Sequence, residues 1–395
     1  MHPYSGSPSS GMSFRPYYLA KNFNKLGYDT TVISSLNHHL SSFSGVDSGL
    51  NKIEGVDYYL VPTQKYKGNG LGRIINMLGF GFNLFKRSFR YFAKTKKPDV
   101  IIASTAHPFH TLAAKYFANK YNAKFILEVR DIWPLSLNQL AGVPKFHPLS
   151  ILVYLFQKFG YKNCDHCVSL LNNAGNYFIK QGLKENSFTC IPNGVELIDS
   201  DEDVVMSQLS SIIDLSKQYE TVIGYTGAIG IPNNMLPLIK AAANLEKHKI
   251  GIFLFGEGIE KNSLQTYCKE NNLQNVTFFG HVAKSHIRSV ISVCDAMFIN
   301  AKPKSIYKYG ISPNKIFDYM LENKMVFNGI NSPSNPLSLA GNEILFKSND
   351  HEDLANKIIQ FSLNKESFKV DSKAIVEKNY SYIYLAQKYS ELFKK

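Results

Sequence analysis

The chain has 395 residues, 44% of them hydrophobic, and its 44 Lys and Arg against 31 Asp and Glu leave a net charge of +13. That length exceeds what one hydrophobic core usually serves, so two domains of roughly 150–200 residues are expected. The best apolar run, residues 149–156, ends at Gln157 and Lys158, well short of the roughly 18 residues that would cross a bilayer.

The opening residues have neither the basic nor the apolar stretch of a secretory signal, and five cysteines suit a reducing compartment better than a disulfide framework. The cytoplasm is the expected location. The charge is one-sided: residues 1–195 hold 22 Lys and Arg and 9 Asp and Glu, whereas residues 196–395 hold 22 of each. The first half is therefore expected to face something anionic, whether nucleic acid, acidic lipid or a phosphorylated substrate.

In chain order, a glycine- and serine-rich stretch at 6–11 leads into a helical pattern at 14–26. Strand-like runs at 29–33, 98–104, 124–129 and 167–171 then alternate with helical patterns at 111–120 and 173–181. Such alternation predicts βαβ units and parallel sheet. After the turn dipeptide Asn193-Gly194 and an acidic stretch at 199–203, strands recur at 221–225, 249–255, 276–279, 296–300 and 325–328.

The expected fold is α/β, with two Rossmann-like doubly wound parallel-sheet domains at 1–195 and 196–378, and a C-terminal helix within 379–395 packing back toward the first. A doubly wound domain normally opens with a buried strand that runs into its glycine turn. Here the turn follows Met1 almost at once, so the first strand is expected to be missing.

Three stretches carry chemistry. Gly6 and Gly11 would let backbone N–H groups approach an anion at a helix N-terminus. Gly227 and Gly230 form a loop at the carboxyl end of the strand at 221–225, where doubly wound sheets bind phosphates, ahead of a helix expected from about Asn234. Neither loop matches the dinucleotide or P-loop fingerprints. Most informative is residues 309–320, YGISPNKIFDYM. Ser312 is a suitable N-cap and Pro313 a suitable first helical residue. Lys315 then adds a cation to the already positive end of a helix dipole, an arrangement suited to an anion such as a diphosphate. Asp318, one turn on, would accept hydrogen bonds from ribose hydroxyls; the plainer alternative is a surface ion pair between Lys315 and Asp318.

Together, GSPSSGMSFRPYYL (6–19), EVRDIWP (128–134), IPNGV (191–195), GYTG (224–227), FGEG (255–258) and the 312–320 helix resemble glycosyltransferase family 4, and within it the bacterial branch acting in surface-polysaccharide and O-antigen assembly. The resemblance implies a GT-B fold whose two domains face a cleft. It also implies a retaining, hexosyl-type transfer from a nucleoside-diphosphate sugar to a lipid-linked or other saccharide acceptor, with no cofactor and no metal.

By the same resemblance Lys315, Asp318, Gly227, Gly230, Gly256 and the backbone near His281 and Val282 hold the nucleotide. Gly11 approaches its phosphates from the first domain, and Arg130 and Asp131 stand where the family places a polar catalytic residue. The family's first acid falls on Gly310 here, Ile231-Pro232-Asn233-Asn234 replaces its Arg and Lys after the glycine loop, and Arg130 stands where many members have His.

Between Lys65 and Lys97 lie nine Lys and Arg and no acid, interleaved with aromatic and aliphatic residues. Read as a basic amphipathic helix, this stretch suits the anionic inner face of a cell membrane, where each cation contributes about 1 kcal/mol; the alternative is an ordinary helix with a solvated basic face.

Cys164 and Cys167 look like half a zinc site without a second pair and are read as structural. Asp199-Ser200-Asp201 imitates a metal-binding D-x-D in a polar linker and is read as solvated charge. His107 and His110 could edge the cleft, cap a helix or pack, and Trp133 could wall the acceptor site or fill core. Two other functions compete: a nucleotide-sugar 2-epimerase of the same architecture, and a basic nucleic-acid-binding protein. The neutral second half and the lack of any helix-turn-helix or RRM signature oppose the latter, so no nucleic-acid partner is expected.

Overall fold

The computed structural model describes residues 1–394 apart from 12, 44, 69 and 198–208; the D-x-D look-alike lies outside the described residues. The chain divides into two compact units, Met1–Glu196 with Ser381–Lys395, and Leu197–Tyr380.

The first unit runs through α1 (Arg15–Lys25), β1 (Thr31–Ser35), β2 (Gly49–Ile53), β3 (Val56–Val61), α2 (Leu71–Asn83), α3 (Arg87–Lys96), β4 (Val100–Ser104), α4 (Thr111–Tyr121), β5 (Lys124–Val129), α5 (Pro148–Asn163), β6 (His166–Ser169) and β7 (Phe188–Cys190). Its strands form a three-stranded sheet in the order β1-β3-β2 and a four-stranded parallel sheet in the order β4-β5-β6-β7. The antiparallel hairpin β2–β3 is absent from the sequence reading. Ile53 pairs with Val56 around Glu54-Gly55, both at positive φ, a two-residue turn made with Glu where Asn or Asp is the usual signal.

Residues 1–3 lie between the two sheets. The Met1 ammonium donates to Ile102 O (2.6 Å) and Ser104 N–H to Met1 O (2.8 Å), while His2 N–H donates to Ile33 O (2.9 Å) and Ser35 N–H to Pro3 O (3.2 Å). Where a first strand is expected, residues 1–3 bond to both sheets without forming a regular strand.

β5 is covered on both faces, and its sequence KFILEV is accordingly apolar except at Lys124 and Glu128. That carboxylate is buried beside the equally buried Arg15, with Nε 2.9 Å from Oε2. Ser104 Oγ donates to it at 2.5 Å, and the Tyr389 hydroxyl also donates to it. Arg15 also donates to the carbonyls of Ile191 and Pro192. Burial opposes the Glu128 charge, but Arg15 and then Arg130 outweigh it and hold the carboxyl below its usual range. This knot joins α1, β5, the chain at 191–192 and the C-terminal helix Tyr382–Glu391, which packs along α1.

The second unit is one six-stranded parallel sheet of β8 (Thr221–Thr226), β9 (Ile250–Phe255), β10 (Val276–Gly280), β11 (Ala296–Ile299), β12 (Met325–Asn328) and β13 (Glu343–Leu345), in the order β10-β9-β8-β11-β12-β13. β8, β9, β11 and β12 are buried throughout and are apolar apart from Thr221, Thr226, Asn328 and two glycines. Its winding reverses between β8 and β11, so the loops after those strands diverge at the carboxyl edge, which is where such sheets open a crevice.

The Arg15→Ala variant, which strands a buried carboxylate, is expected to lose about 3–5 kcal/mol of stability. Replacing Arg15 and Glu128 together by Met and Leu should recover most of that loss. Urea unfolding of the three chains reads the difference.

Candidate active site

At the carboxyl edge of the second unit, β8 ends in the glycine loop. Gly227 N–H donates to Phe255 O and Ile229 N–H to Glu257 O, both at 2.9 Å, so this loop lies backbone to backbone on the loop after β9. A Cβ on Gly256 would stand 1.8 Å from Gly227 O, a contact no side chain survives, so glycine at 256 is required by the packing of the two loops. Gly230 is extended (φ −145°) and its Cβ position meets only Pro232 Cδ at 3.8 Å. The helix expected from Asn234 begins later, at Leu236, after a short 3-10 turn at Ile231–Asn233.

The decisive helix, α7 (Asn314–Leu321), starts with Pro313 in the capping position and no side-chain cap. The expected start, with Ser312 capping and Pro313 inside, is corrected by one residue, because Pro313 is still extended (ψ 140°). Lys315 remains in the first turn. Its Nζ donates to the Tyr225 hydroxyl (2.8 Å), lies 4.0 Å from the centre of that ring and is 3.0 Å from where a Cβ on Gly227 would be. The Tyr225 hydroxyl in turn donates to Ala228 O at 2.6 Å. No carboxylate among the described residues pairs with Lys315, and burial pushes its amine down to about 7. A cation beside a positive helix end, with a ring face and a hydroxyl for company and no counter-ion, is a site that gains by taking an anion.

Asp318 does not pair with Lys315. It is buried, and both its oxygens accept from Lys284 Nζ, at 2.6 and 2.7 Å. Lys284 opens the short 3-10 turn Lys284–His286, two residues after Val282, so the Val282 loop is tied to α7 through this ion pair. The surface-pair alternative for Lys315 and Asp318 is thereby removed. Gly310, where the resemblance lacks its first acid, has φ +120°, a backbone setting that a glutamate would occupy only under strain. Tyr225 and Lys284 were missed by the sequence reading: Tyr225 was counted as strand, and a lone lysine in a loop has no pattern to single it out.

In the first unit, Arg130 follows the carboxyl end of β5, with Nη1 2.6 Å from His2 Nε2 and 3.0 Å from Ser13 Oγ. Arg130 thereby meets the loop that carries Gly11 (φ +125°). Asp131 is exposed. The donors of the serine–glycine loop are already engaged: Ser7 Oγ (3.0 Å), Ser9 N–H (2.9 Å) and the Ser9 hydroxyl all point at Glu54, and Gly11 N–H bonds Ser7 O at 3.1 Å. Glu54 thus takes the side-chain donors of Ser7 and Ser9 and the Ser9 N–H.

Behind this loop His107 and His110 are fully buried, 5.8 Å apart, against Phe80 and Tyr4. They pack rather than edge a cleft, and His110 makes no cap bond for α4. Trp133 packs beside Tyr4 and Phe109 while its indole N–H reaches Thr105 O at 3.3 Å. All five cysteines are free, four of them buried. Among the described residues no cluster of His, Cys, Asp and Glu could hold a metal.

Glycosyltransferase Family 4 is the family whose model matches, over residues 9–198, nearly the whole first unit. No curated protein matches. Among solved structures, sucrose-phosphate synthase from Thermosynechococcus elongatus superposes with TM-score 0.71 at 12% identity over 99% of this chain and 94% of its own. Anabaena HepE in complex with UDP and glucose gives 0.67 at 15% over 99% and 97%, and WaaG, a glycosyltransferase involved in lipopolysaccharide biosynthesis, 0.67 at 12% over 100% and 98%. The fold is GT-B. The family match over the first unit supports glycosyltransferase activity, and the whole-chain neighbours share the fold.

Burial holds His2, His38, His107 and His110 neutral, with His38 down to about 4 and His107 to about 3. The unfolded chain, whose histidines titrate near 6.5, takes up protons first as pH falls, so stability is lost from about pH 6.5 downward. Denaturation at pH 7 and pH 5 is expected to differ by several kcal/mol, and the His107→Phe, His110→Phe double variant should flatten that slope.

Proposed function

We propose that the protein moves a sugar from a nucleoside-diphosphate sugar to a saccharide acceptor carried on lipid, with retention at the anomeric carbon and without a metal ion. The observation that carries this reading is Lys315: a buried amine that no carboxylate among the described residues pairs with, at the start of α7 and beside the glycine loop, where the sheet reverses its winding. Breaking the anomeric C–O bond leaves an oxocarbenium-like sugar and a nucleoside diphosphate, so the leaving group needs positive charge already in place. The dipole of α7 supplies part of it, and Lys315 supplies the rest once the bound diphosphate has drawn a proton onto its amine.

Asp318 receives the ribose hydroxyls once Lys284 yields, and Val282 and the Gly227–Gly230 and Gly256 loops border the nucleotide. Arg130 and Asp131 serve the transferred sugar in the first unit, near Gly11. HepE structures with UDP and with UDP-glucose put uridine diphosphate donors first in any trial. The link of WaaG to lipopolysaccharide favours an acceptor in cell-surface polysaccharide assembly.

The basic stretch of the first half is two helices, α2 and α3, rather than one. Phe80 and Phe89 are buried in the unit, while Leu71, Ile75, Phe82 and Tyr91 are exposed among the cations. Among the described residues no helix is long and apolar enough to cross a membrane. Peripheral contact with the anionic cytoplasmic face fits this surface, and vesicle sedimentation should show Phe82→Ser, Tyr91→Ser losing affinity for anionic but not neutral lipid.

Lys315→Ala is expected to lower transfer by roughly 10²–10³, as removal of one preorganised donor does elsewhere, with the melting curve unchanged; full turnover would remove Lys315 from the mechanism. At pH 8 the free amine is mostly neutral, and a bound diphosphate raises its affinity for protons. Nucleoside diphosphate binding should therefore take up close to one proton, read by calorimetry in buffers of different ionisation enthalpy, and this uptake should vanish in Lys315→Ala. EDTA should leave transfer intact, and the product's anomeric coupling in an NMR spectrum should match the donor's.

A further inference from the structure

Past the carboxyl ends of β1, β3 and β4, the first unit gathers a cation and several polar rings. α2 begins there, from Gly70, with no side-chain cap and no acid in its first turn, which carries Arg73. The loops after β1 and β3 are fastened to this helix. Asn76 Nδ2 donates to Asn37 O (2.8 Å) and to Gln64 O (2.7 Å), and a Cβ on Gly72 would stand 3.1 Å from Tyr66 Cβ, so Tyr66 lies close against the first turn.

The Arg73 guanidinium is 5.9 Å from the centre of the Tyr4 ring, and Tyr4 meets His39 (5.0 Å) and His107 (5.4 Å) edge to face. The Arg73 charge biases Tyr4, His39, Tyr66 and His107 toward their unprotonated forms. It belongs to a stretch, residues 58–98, that has no Asp or Glu.

His39 Nδ1 and the Tyr66 hydroxyl share a hydrogen bond of 2.7 Å. Burial, and then Arg73, push the imidazole down to about 4, so it is neutral and keeps one ring proton. The pair therefore holds one N–H and one O–H, and their mutual bond uses only one of the two. Whichever way that bond runs, one donor is left for a third group.

Tyr4 also belongs to an apolar cluster with Met77, Phe109 and Val153, on which Leu40, Leu78, Leu149 and Leu152 lie half-buried. A guanidinium fork and a spare neutral donor thus border an apolar surface. The fork matches phosphate oxygens two at a time, and a diphosphate joined to a hydrocarbon chain satisfies both halves of this surface.

On the reading of a lipid-carried acceptor, on which this rests, we propose that the cluster is the seat of that acceptor's diphosphate. Arg73 takes the phosphate oxygens, the His39–Tyr66 pair gives one further hydrogen bond, and the first stretch of the hydrocarbon chain lies over Leu40, Leu78, Leu149 and Leu152.

The only tryptophan of the chain, Trp133, packs on the same apolar cluster as Tyr4, so its emission reports occupancy. Farnesyl diphosphate should change that emission saturably, with farnesol and inorganic pyrophosphate each about 10-fold weaker or more. Arg73→Ala should weaken farnesyl diphosphate by about 10- to 100-fold. Arg73→Lys, which keeps the charge without the fork, should weaken it by about 5- to 10-fold. The double variant His39→Leu, Tyr66→Phe should cost about 5-fold. UDP affinity, read by calorimetry, should stay within about twofold in all of them.

Unchanged farnesyl diphosphate affinity in Arg73→Ala, with melting preserved, overturns the proposal; should that variant not fold, full affinity in Arg73→Lys overturns it in its place. Farnesol binding as tightly as the diphosphate overturns it in favour of a general apolar surface, and pyrophosphate binding as tightly in favour of a free anion. An equal loss of UDP affinity in Arg73→Ala overturns it in favour of the donor's own diphosphate. The functional reading fails instead on whether any sugar is transferred, which none of these titrations measures, so the two failures are distinguishable.

Discussion

A parallel sheet wound in both directions from one strand cannot cover its own carboxyl edge at the place where the winding reverses, and this constraint organises both units. In the second, the reversal between β8 and β11 leaves the glycine loop and the start of α7 side by side. The free N–H groups and positive dipole end of that helix then meet a lysine with no acid to answer it. In the first, the reversal falls on residues 1–3, and the loop that follows them carries Gly11 and Ser13 toward Arg130. The two edges differ in charge state. Lys315 stands uncompensated, whereas the donors of the first loop are already spent on Glu54.

Much of this was legible because doubly covered parallel strands are nearly continuous apolar runs. β5 and β12 coincide with the sequence reading, and most other strands fall within two residues of it. What escaped was short or irregular. The β2–β3 hairpin turns on Glu54-Gly55 instead of a familiar turn pair, and β7 and β13 are three-residue edge strands with little room for a pattern.

Of the site, Lys315 and Asp318 stood out because a cation in the first turn of a helix contradicts the usual preference. Their partners did not. Tyr225 and Lys284 come from other strands' ends, and nothing in a one-dimensional pattern says that a tyrosine 90 residues away will seat a lysine. Nothing in the EVRDIWP motif sets Glu128 apart; its burial with Arg15 shows it holding the first unit together.

The contact between the loops after β8 and β9 has a consequence for how any ligand is admitted. Because Gly256 presses on Gly227 with no side chain between them, and the loops are stitched by two main-chain bonds, neither can swing without dragging the other strand end along. Adaptation must fall to the long flexible side chains around them. Lys284 can pivot off its carboxylate partner, and Lys315 can slide across an aromatic face, each at the expense of a single contact pair or two. The two strand ends thus move as one piece of main chain, and the side chains of the two lysines are the groups with freedom to adjust around them.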